Sequence, residues 1–534
     1  MISIGRDSLG HRMLPGSAML VISGLAACLY VYIPASPSQP ELFFLPKEIL
    51  LHVTALVAAC YLLINPINRW SWVDGCMVFY FLLSVISMVA NSTYSVGWRP
   101  IGITASSIIL FHVAREVGAE RIGFPVTMLS IFFCSVAMLQ AIGWLPDFSL
   151  DGRSPGSTLG NRNEAARVAV LFMPITWREF VIAKDKRHLL VSAVAITLIV
   201  AAIVLSRART AWIATLALSV MACLIIWRCP SGTRVRSRTV RLVAIAAFSA
   251  IVAGNIPVVL QWESPGPYWS TLTRLFDVAT GTGKGRVVQH ANTLQMAADH
   301  PAVGVGPGAW MLRYSEYRSS NDPSFRAASV FPTDRLPQSD FIGGMAERGI
   351  LAAVLLVAIP FGTVLQVLLL SPSRSDDKDV ASRWALAGIM IGWLMMGFAE
   401  PVVALPVGAA LLFIGAGIFW ATSQTGIPAN HRRTRFVFRL ALNTALALAV
   451  LSSLARVVPT LRSTVLISNA TTYGEFEAAV RIDPTSYAAR IAVASFAVSA
   501  GDCENARSHL AVAARLNPSG NPFRLAAACD SSHP

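Results

Sequence analysis

The sequence predicts an all-α polytopic membrane protein, and three observations support this fold class. The 534 residues are 54% hydrophobic and only 13% charged, whereas soluble domains carry about 25% charged residues. Apolar runs of about 17–25 residues, the length needed to cross a hydrocarbon core of about 30 Å, recur along most of the chain. Basic residues cluster in the short connections between these runs.

The apolar runs predict about 12–13 transmembrane helices. No signal-peptide cleavage pattern precedes the first run, so we expect that run to be retained as a membrane helix. The predicted bounds are 17–33, 48–66, 73–90, 100–114, 124–144, 165–183, 188–205, 210–227, 240–260, 349–370, 384–400, 404–422 and 437–456.

The basic residues predict how these helices are oriented. When the helices alternate in direction, the basic clusters at 184–187, 228–241 and 431–439 all fall on one side. Positively charged loops mark the cytoplasmic side, so the N-terminus is predicted to be cytoplasmic and the C-terminus to lie outside. The formal net charge of +14 is then a topology signal. We therefore expect membrane lipids, and not nucleic acid, to surround these basic residues.

Three segments on the predicted outer side are longer than a connection requires: 145–164, about 261–348 and the tail after 457. They divide the chain into a membrane domain, residues 1–456, which includes the large loop, and an outer helical tail, residues 457–534. Because most cytoplasmic loops are short, we expect the chemistry to take place on the outer face.

The tail contains a short internal repeat. The segments around Pro484 and Pro518 align, and the two prolines are 34 residues apart. A 34-residue helix–turn–helix unit is typical of a tetratricopeptide repeat, and an irregular helical cap is the alternative interpretation. So short an array would have to pack on the large loop or on a partner. In an oxidising compartment, Cys503 and Cys529 could form a disulfide.

Two arginines, Arg207 and Arg209, interrupt the apolar sequence between the seventh and eighth predicted spans. The predicted topology places them at the outer end, where the positive-inside rule disfavours basic residues. Charged residues at such positions are candidates for function, and guanidinium groups grip phosphate with two parallel hydrogen bonds. The alternative is that both side chains extend to the lipid headgroups.

The large loop contains a second basic feature, the Gly-rich stretch "TGTGKGR" (280–286). It does not fit a P-loop, because Val278 occupies the place of the first glycine and Gly285 the place of the serine or threonine. The stretch instead predicts a basic turn, with Lys284 and Arg286 opening a helix, that could bind an anion through backbone N–H groups and charge.

Four segments of the predicted outer face occur in a characteristic order: "GSTLGNRNEAAR" (156–167), "SRARTAW" (206–212), "GRVVQHANTLQMAADHPAVGVGPGAW" (285–310) and "PQSDFIGGMAERGILA" (337–352). Together they resemble the motifs of the O-antigen ligase/polymerase family of bacterial envelope glycosyltransferases. The resemblance extends over about residues 150–360. A tetratricopeptide-like tail also occurs in some members.

The resemblance implies a metal-independent glycan transfer that needs no cofactor. The donor would be a glycan on undecaprenyl pyrophosphate, and the acceptor a hydroxyl group of another glycan, of lipid A core or of a protein. The protein would lie in the bacterial inner membrane with its tail in the periplasm. Arg209 and Arg286 would stabilise the negative charge of the departing pyrophosphate. The other candidates for binding pyrophosphate or glycan are Arg207, Lys284, Arg153, Arg162, Asn161 and Asn163; for the two asparagines, bonds that hold the loop are the preferred role.

One position departs from the family pattern. Alignment on Asp340 places Gln338 where ligases of the family have a histidine, their proposed general base, and an amide cannot accept a proton at neutral pH. Asp340 is the first substitute, since a carboxylate can act as a general base. The remaining candidate bases are Glu347, Glu316, His290 and His300. The two histidines are expected to be surface or packing residues.

The missing histidine favours a polysaccharide polymerase, of O-antigen or exopolysaccharide, over a ligase that delivers finished glycan to lipid A core or protein. A transporter or flippase is a third interpretation, but the membrane portion has no internal repeat of the kind that transporters show. A non-catalytic scaffold is a fourth. A chain-length regulator is a candidate partner for the tail.

Overall fold

The computed structural model describes residues 6–31, 41–64, 70–146, 148, 154–260, 266–318, 322, 336–369, 376–420 and 432–517, together with 522, 524, 525 and 527. Over these residues the chain forms twenty α-helices and one 3-10 helix, without a strand. The predicted all-α fold class is therefore confirmed.

In chain order, the helices fall before, within and after the large loop. The helices before the large loop are α1 (Arg6–Tyr30), α2 (Glu41–Ile64), α3 (Trp72–Ala90), α4 (Tyr94–Val117), α5 (Ala119–Ala141), α6 (Arg162–Ile182), α7 (Lys186–Ser206), α8 (Arg209–Arg228) and α9 (Arg234–Asn255). The large loop contains α10 (Pro267–Thr273), α11 (Gly281–Asp299), α12 (Trp310–Tyr317) and α13 (Asp340–Arg348). The helices after the loop are α14 (Ile350–Leu369), α15 (Asp377–Gly397), α16 (Pro406–Trp420), α17 (Arg432–Asn469), α18 (Tyr473–Ile482), α19 (Tyr487–Ser499) and α20 (Cys503–Leu516).

Each predicted span coincides with a helix, and nine helices of the described chain are long and apolar enough to cross a membrane: α2, α3, α5, α7, α8, α9, α14, α15 and α17. The other four predicted spans coincide with α1, α4, α6 and α16. The apolar parts of α1 and α16 are shorter, Gly16–Tyr30 and Pro406–Trp420. By contrast, α6 is buried along nearly its whole length, so its side chains face protein rather than lipid.

The burial of α6 explains how it carries charged residues at the end away from the large loop. Arg178 is 1% exposed and pairs with Glu120 at 2.6 Å and with Glu179 at 2.7 Å. Its Nε also donates to Ser382 Oγ at 3.2 Å. Charges removed from water persist when they are paired and hydrogen-bonded. This network therefore joins α5, α6 and α15.

A Gly-rich turn after α11 fixes the geometry of the large loop. The N–H of Val305 donates to Ala346 O and the N–H of Gly306 to Glu347 O, both at 2.9 Å. Gly304 has a φ of +67°, and a Cβ at that position would lie 2.2 Å from the backbone of Glu347. Only glycine adopts this conformation in so little space. The turn thereby ties the end of α11 to α13.

The predicted boundary at 456/457 falls inside the helix α17, so the tail begins as a continuation of the last membrane helix, and the domain division stays a prediction. The 38 residues of α17 span about 57 Å at 1.5 Å per residue, well beyond a core of about 30 Å. Near its end, Leu466 and Ile467 pack on α18 and α19. The next helices, α19 and α20, pack together as a hairpin around Gly501. The tetratricopeptide interpretation stays a prediction.

Cys503, at the start of α20, is disulfide-bonded. The sequence predicted a disulfide for this residue, and the predicted partner, Cys529, lies outside the described residues.

Candidate functional site

The turn between α7 and α8 is fastened to the large loop by Arg207. Arg207 ends α7 with a φ of +54°, a left-handed conformation that non-glycine residues adopt at a cost. Its Nε donates to Thr271 Oγ1 at 2.8 Å and its Nη2 to Ser270 Oγ at 3.3 Å, both on α10. The side chain that the sequence proposed for pyrophosphate binding therefore positions the turn against the loop.

Arg209, two residues later, contacts the segment between α10 and α11. Its Nη1 donates to the backbone oxygens of Arg274 at 3.1 Å and Asp277 at 2.9 Å. The side chain is half-buried and close enough to Arg286 for their charges to repel. The two arginines that the family motifs select thus lie close together.

Arg286 is held by a carboxylate that the sequence analysis did not connect with the site. Its Nη2 lies 2.5 Å from Oε1 of Glu400, and the two side chains are 21% and 4% exposed. Oε2 of Glu400 lies 3.2 Å from Nε of Arg167, and Thr210 Oγ1 donates to Oε1 at 2.9 Å. Glu400, just after α15, therefore joins α6, α8 and α11.

The cluster brings three guanidinium groups together. Arg167 and Arg286 face Glu400, with a second carboxylate, Glu164, 4.0 Å from Arg167, whereas Arg209 lies near Arg286 and Asp277. Arg286 is the partly exposed member on the loop side, so it can exchange its carboxylate partner for the oxygens of an incoming anion. Among the described residues no group of three or more His, Cys, Asp or Glu side chains could hold a metal ion.

The Gly-rich stretch of the loop differs from its prediction. It is helical from Gly281 onward, so Lys284 and Arg286 lie within the first two turns of α11 instead of in a turn that precedes it. The N–H of Lys284 donates to Thr280 O at 3.3 Å, and the side chain of Lys284 is exposed. Anion binding here therefore depends on the side chain of Arg286 more than on a backbone loop.

The first outer segment has a structural role at the start of α6. The side chain of Asn161 caps the helix, accepting from the N–H of Asn163 at 2.9 Å. This is the loop-holding role that the sequence favoured. Asn163 and Arg162 are half-buried in the first turn. Arg153 lies outside the described residues.

Asp340 occupies a bracing position instead of the predicted catalytic one. It is 6% exposed, and its carboxylate accepts from Trp393 Nε1 at 3.0 Å and from the N–H groups of Val402 and Val403 at 3.0–3.2 Å. Burial raises its pKa to about 6, against these hydrogen bonds. Because both oxygens are occupied, Asp340 anchors the 401–403 segment beside Glu400 and has little capacity to accept a substrate proton.

Two side chains of α11 form hydrogen bonds with the backbone of Gln338, the position at which ligases of the family have a histidine. Gln338 is half-buried; its N–H donates to Gln289 Oε1 at 2.7 Å, and its carbonyl oxygen accepts from His290 Nε2 at 3.1 Å. The remaining candidate bases have other partners or positions. Glu347 is buried and pairs with Arg348, Glu316 is exposed and pairs with Arg313, and His300 caps the end of α11.

Comparison with known families identifies the region that contains this site. Residues 193–357 match the family model described as O-antigen ligase. The match includes Arg209, Arg286 and Gln338, whereas Arg167 and Glu400 lie outside it. No curated protein matches the chain significantly. The matched region, less than a third of the chain, is similar to O-antigen ligases and supports the resemblance to the O-antigen ligase/polymerase family and a glycan-transferring role at a membrane.

Proposed function

We propose that the protein is a polysaccharide polymerase of the bacterial inner membrane. It would transfer a growing glycan from undecaprenyl pyrophosphate to a hydroxyl group of the next lipid-linked repeat unit, on the periplasmic face. The observation that supports this most is that Arg209, from α8, lies close to Arg286, from α11, which pairs with the buried Glu400. Two cations from different elements, placed at a helix end, suit a lipid-bound pyrophosphate.

The chemistry follows from the leaving group. As the bond between the sugar and the pyrophosphate breaks, negative charge grows on the departing phosphate oxygen. Fixed guanidinium groups aimed at that charge lower the barrier because they need no reorganisation during the reaction. Arg286 would leave Glu400 for the phosphate, while Glu400 keeps its bond to Arg167 and so preserves the position of α6.

The choice of polymerase over ligase depends on Gln338, which stands where ligases of the family have histidine. A ligase that delivers glycan to lipid A core or to protein is the second candidate, and the description of the matched family model favours it. The two enzymes share the donor and differ in the acceptor, so an assay that varies the acceptor separates them.

The test is a product assay with purified protein in nanodiscs. The protein receives one undecaprenyl-pyrophosphate-linked repeat unit and no other acceptor, and the products are sized by gel electrophoresis and mass spectrometry. A ladder of longer lipid-linked chains is expected. Transfer only after addition of lipid A core or a protein acceptor would assign ligase activity. No transfer with any acceptor, by folded protein and its own glycan, would exclude both and favour a transporter or scaffold.

A further inference from the structure

We propose that His290 is the general base of the transfer, in place of the histidine that Gln338 replaces. This inference rests on the proposed function, because it concerns the acceptor hydroxyl of the same reaction. The sequence predicted a surface or packing role for His290. Its contacts give it a different position.

Two consecutive residues of α11 hold the backbone of Gln338 from both sides. Gln289, which is 3% exposed, accepts the N–H of Gln338 at 2.7 Å. His290 donates from Nε2 to the carbonyl oxygen of Gln338 at 3.1 Å. The imidazole ring is therefore fixed within hydrogen-bond distance of the residue position from which other family members supply their base.

The same hydrogen bond sets the tautomer of His290. A carbonyl oxygen can only accept, so Nε2 carries the proton and Nδ1 keeps its lone pair. The ring is half-buried. Among the described residues Nδ1 has no hydrogen-bond partner, and it can therefore accept a proton from a substrate.

The charges around His290 keep it neutral. Burial and the positive charge of Arg286, one helical turn earlier, lower the pKa of His290 below its usual range, against the hydrogen bond to Gln338. On α13 the nearest carboxylate along the chain is Asp340, which is occupied by other donors. On α12 the side chains of Arg313 and Glu316 are exposed and form an ion pair with each other at 2.9 Å. An imidazole with a lowered pKa is deprotonated at neutral pH, the state in which a base acts.

The acceptor hydroxyl gives up its proton as the new glycosidic bond forms. The acceptor oxygen forms a bond to the anomeric carbon of the donor glycan while its proton passes to Nδ1 of His290. The bond between that carbon and the pyrophosphate oxygen breaks, and the electron pair leaves with undecaprenyl pyrophosphate, which Arg209 and Arg286 hold. The imidazolium afterwards releases its proton to water.

The test compares His290→Gln with a matched histidine at the end of the same helix, His300→Gln. His290→Gln is expected to lower the single-turnover transfer rate by about 10²–10⁴-fold and to leave the affinity for undecaprenyl pyrophosphate unchanged. The wild-type rate should fall at acid pH as His290 is protonated, and this acid limb should disappear in the variant. His300→Gln should keep both the rate and the limb. Restoring the family residue in the double variant H290Q/Q338H should recover activity.

The outcomes separate this inference from the proposed function. If the wild type forms products and His290→Gln transfers at the same rate with the same pH profile, His290 is not the base, although the proposed function stands. A slower variant that keeps the acid limb would show a merely structural role and would also overturn the inference. If the wild type transfers glycan to no acceptor, the proposed function fails, and the inference fails with it.

Discussion

Replacing Arg286 with alanine is expected to lower the rate of glycan transfer by about 10²–10³-fold, the usual cost of losing one group that stabilises transition-state charge. The guanidinium lies at the partly exposed side of the cluster, where it can exchange Glu400 for phosphate oxygens. Arg286→Lys keeps the charge but loses the planar fork, so an intermediate rate is expected. Arg209→Ala should behave like Arg286→Ala, because the two charges act on the same leaving group.

The matched control is Arg313→Ala. Arg313 lies in the same loop but is exposed and pairs with Glu316, so its loss should leave transfer unchanged. The measurement is the single-turnover rate in nanodiscs, with thermal stability recorded for every variant. If the Arg286→Ala and Arg209→Ala proteins are folded and as active as the wild type, the two arginines do not stabilise the departing pyrophosphate.

Replacing Glu400 with glutamine is expected to lower kcat without weakening the binding of undecaprenyl pyrophosphate. The amide keeps the size of the side chain and an acceptor for Thr210, but it no longer balances Arg167 and Arg286. Breaking a buried ion pair costs about 3–5 kcal/mol, and the partial exposure of Arg286 reduces this cost. We therefore expect a lower thermal stability and a lower kcat, because Arg286 loses its fixed position. The affinity for undecaprenyl pyrophosphate should be equal or higher, since the cluster becomes more positive.

Glu316→Gln is the control for this substitution, because Glu316 is an exposed glutamate of the same loop. It should change neither stability nor rate, which also tests Glu316 as a base. For Glu400, weaker binding of undecaprenyl pyrophosphate with an unchanged kcat would contradict the positioning role. Such a result would indicate that the carboxylate contacts the glycan directly.

The membrane helices could be predicted from the sequence because the bilayer sets their length and polarity. A hydrocarbon core without water requires continuous helices of apolar residues, and all thirteen predicted segments coincide with helices. The full length of α17 could not be predicted in this way. Beyond residue 456 the polarity rises while α17 continues to Asn469, because packing on α18 and α19 supports the helix there.

The site was predicted only in part. The motifs indicated Arg209 and Arg286 because a negatively charged pyrophosphate is bound by positively charged side chains such as arginine. Glu400 lies 114 positions from Arg286 in the chain, and only the fold brings the two together. One signal was present: a carboxylate at the outer end of an apolar span needs a partner. The position of His290 depends on how α11 packs against Gln338, which sequence periodicity does not report.

An electron cryomicroscopy structure of the protein in nanodiscs with undecaprenyl pyrophosphate would show directly whether Arg209 and Arg286 hold the pyrophosphate. We expect density for the two phosphates between the guanidinium groups of Arg209 and Arg286, with Arg286 moved away from Glu400 and Arg167 still paired with Glu400. Phosphate density that contacts neither Arg209 nor Arg286, at a ligand concentration that saturates binding, would contradict this expectation.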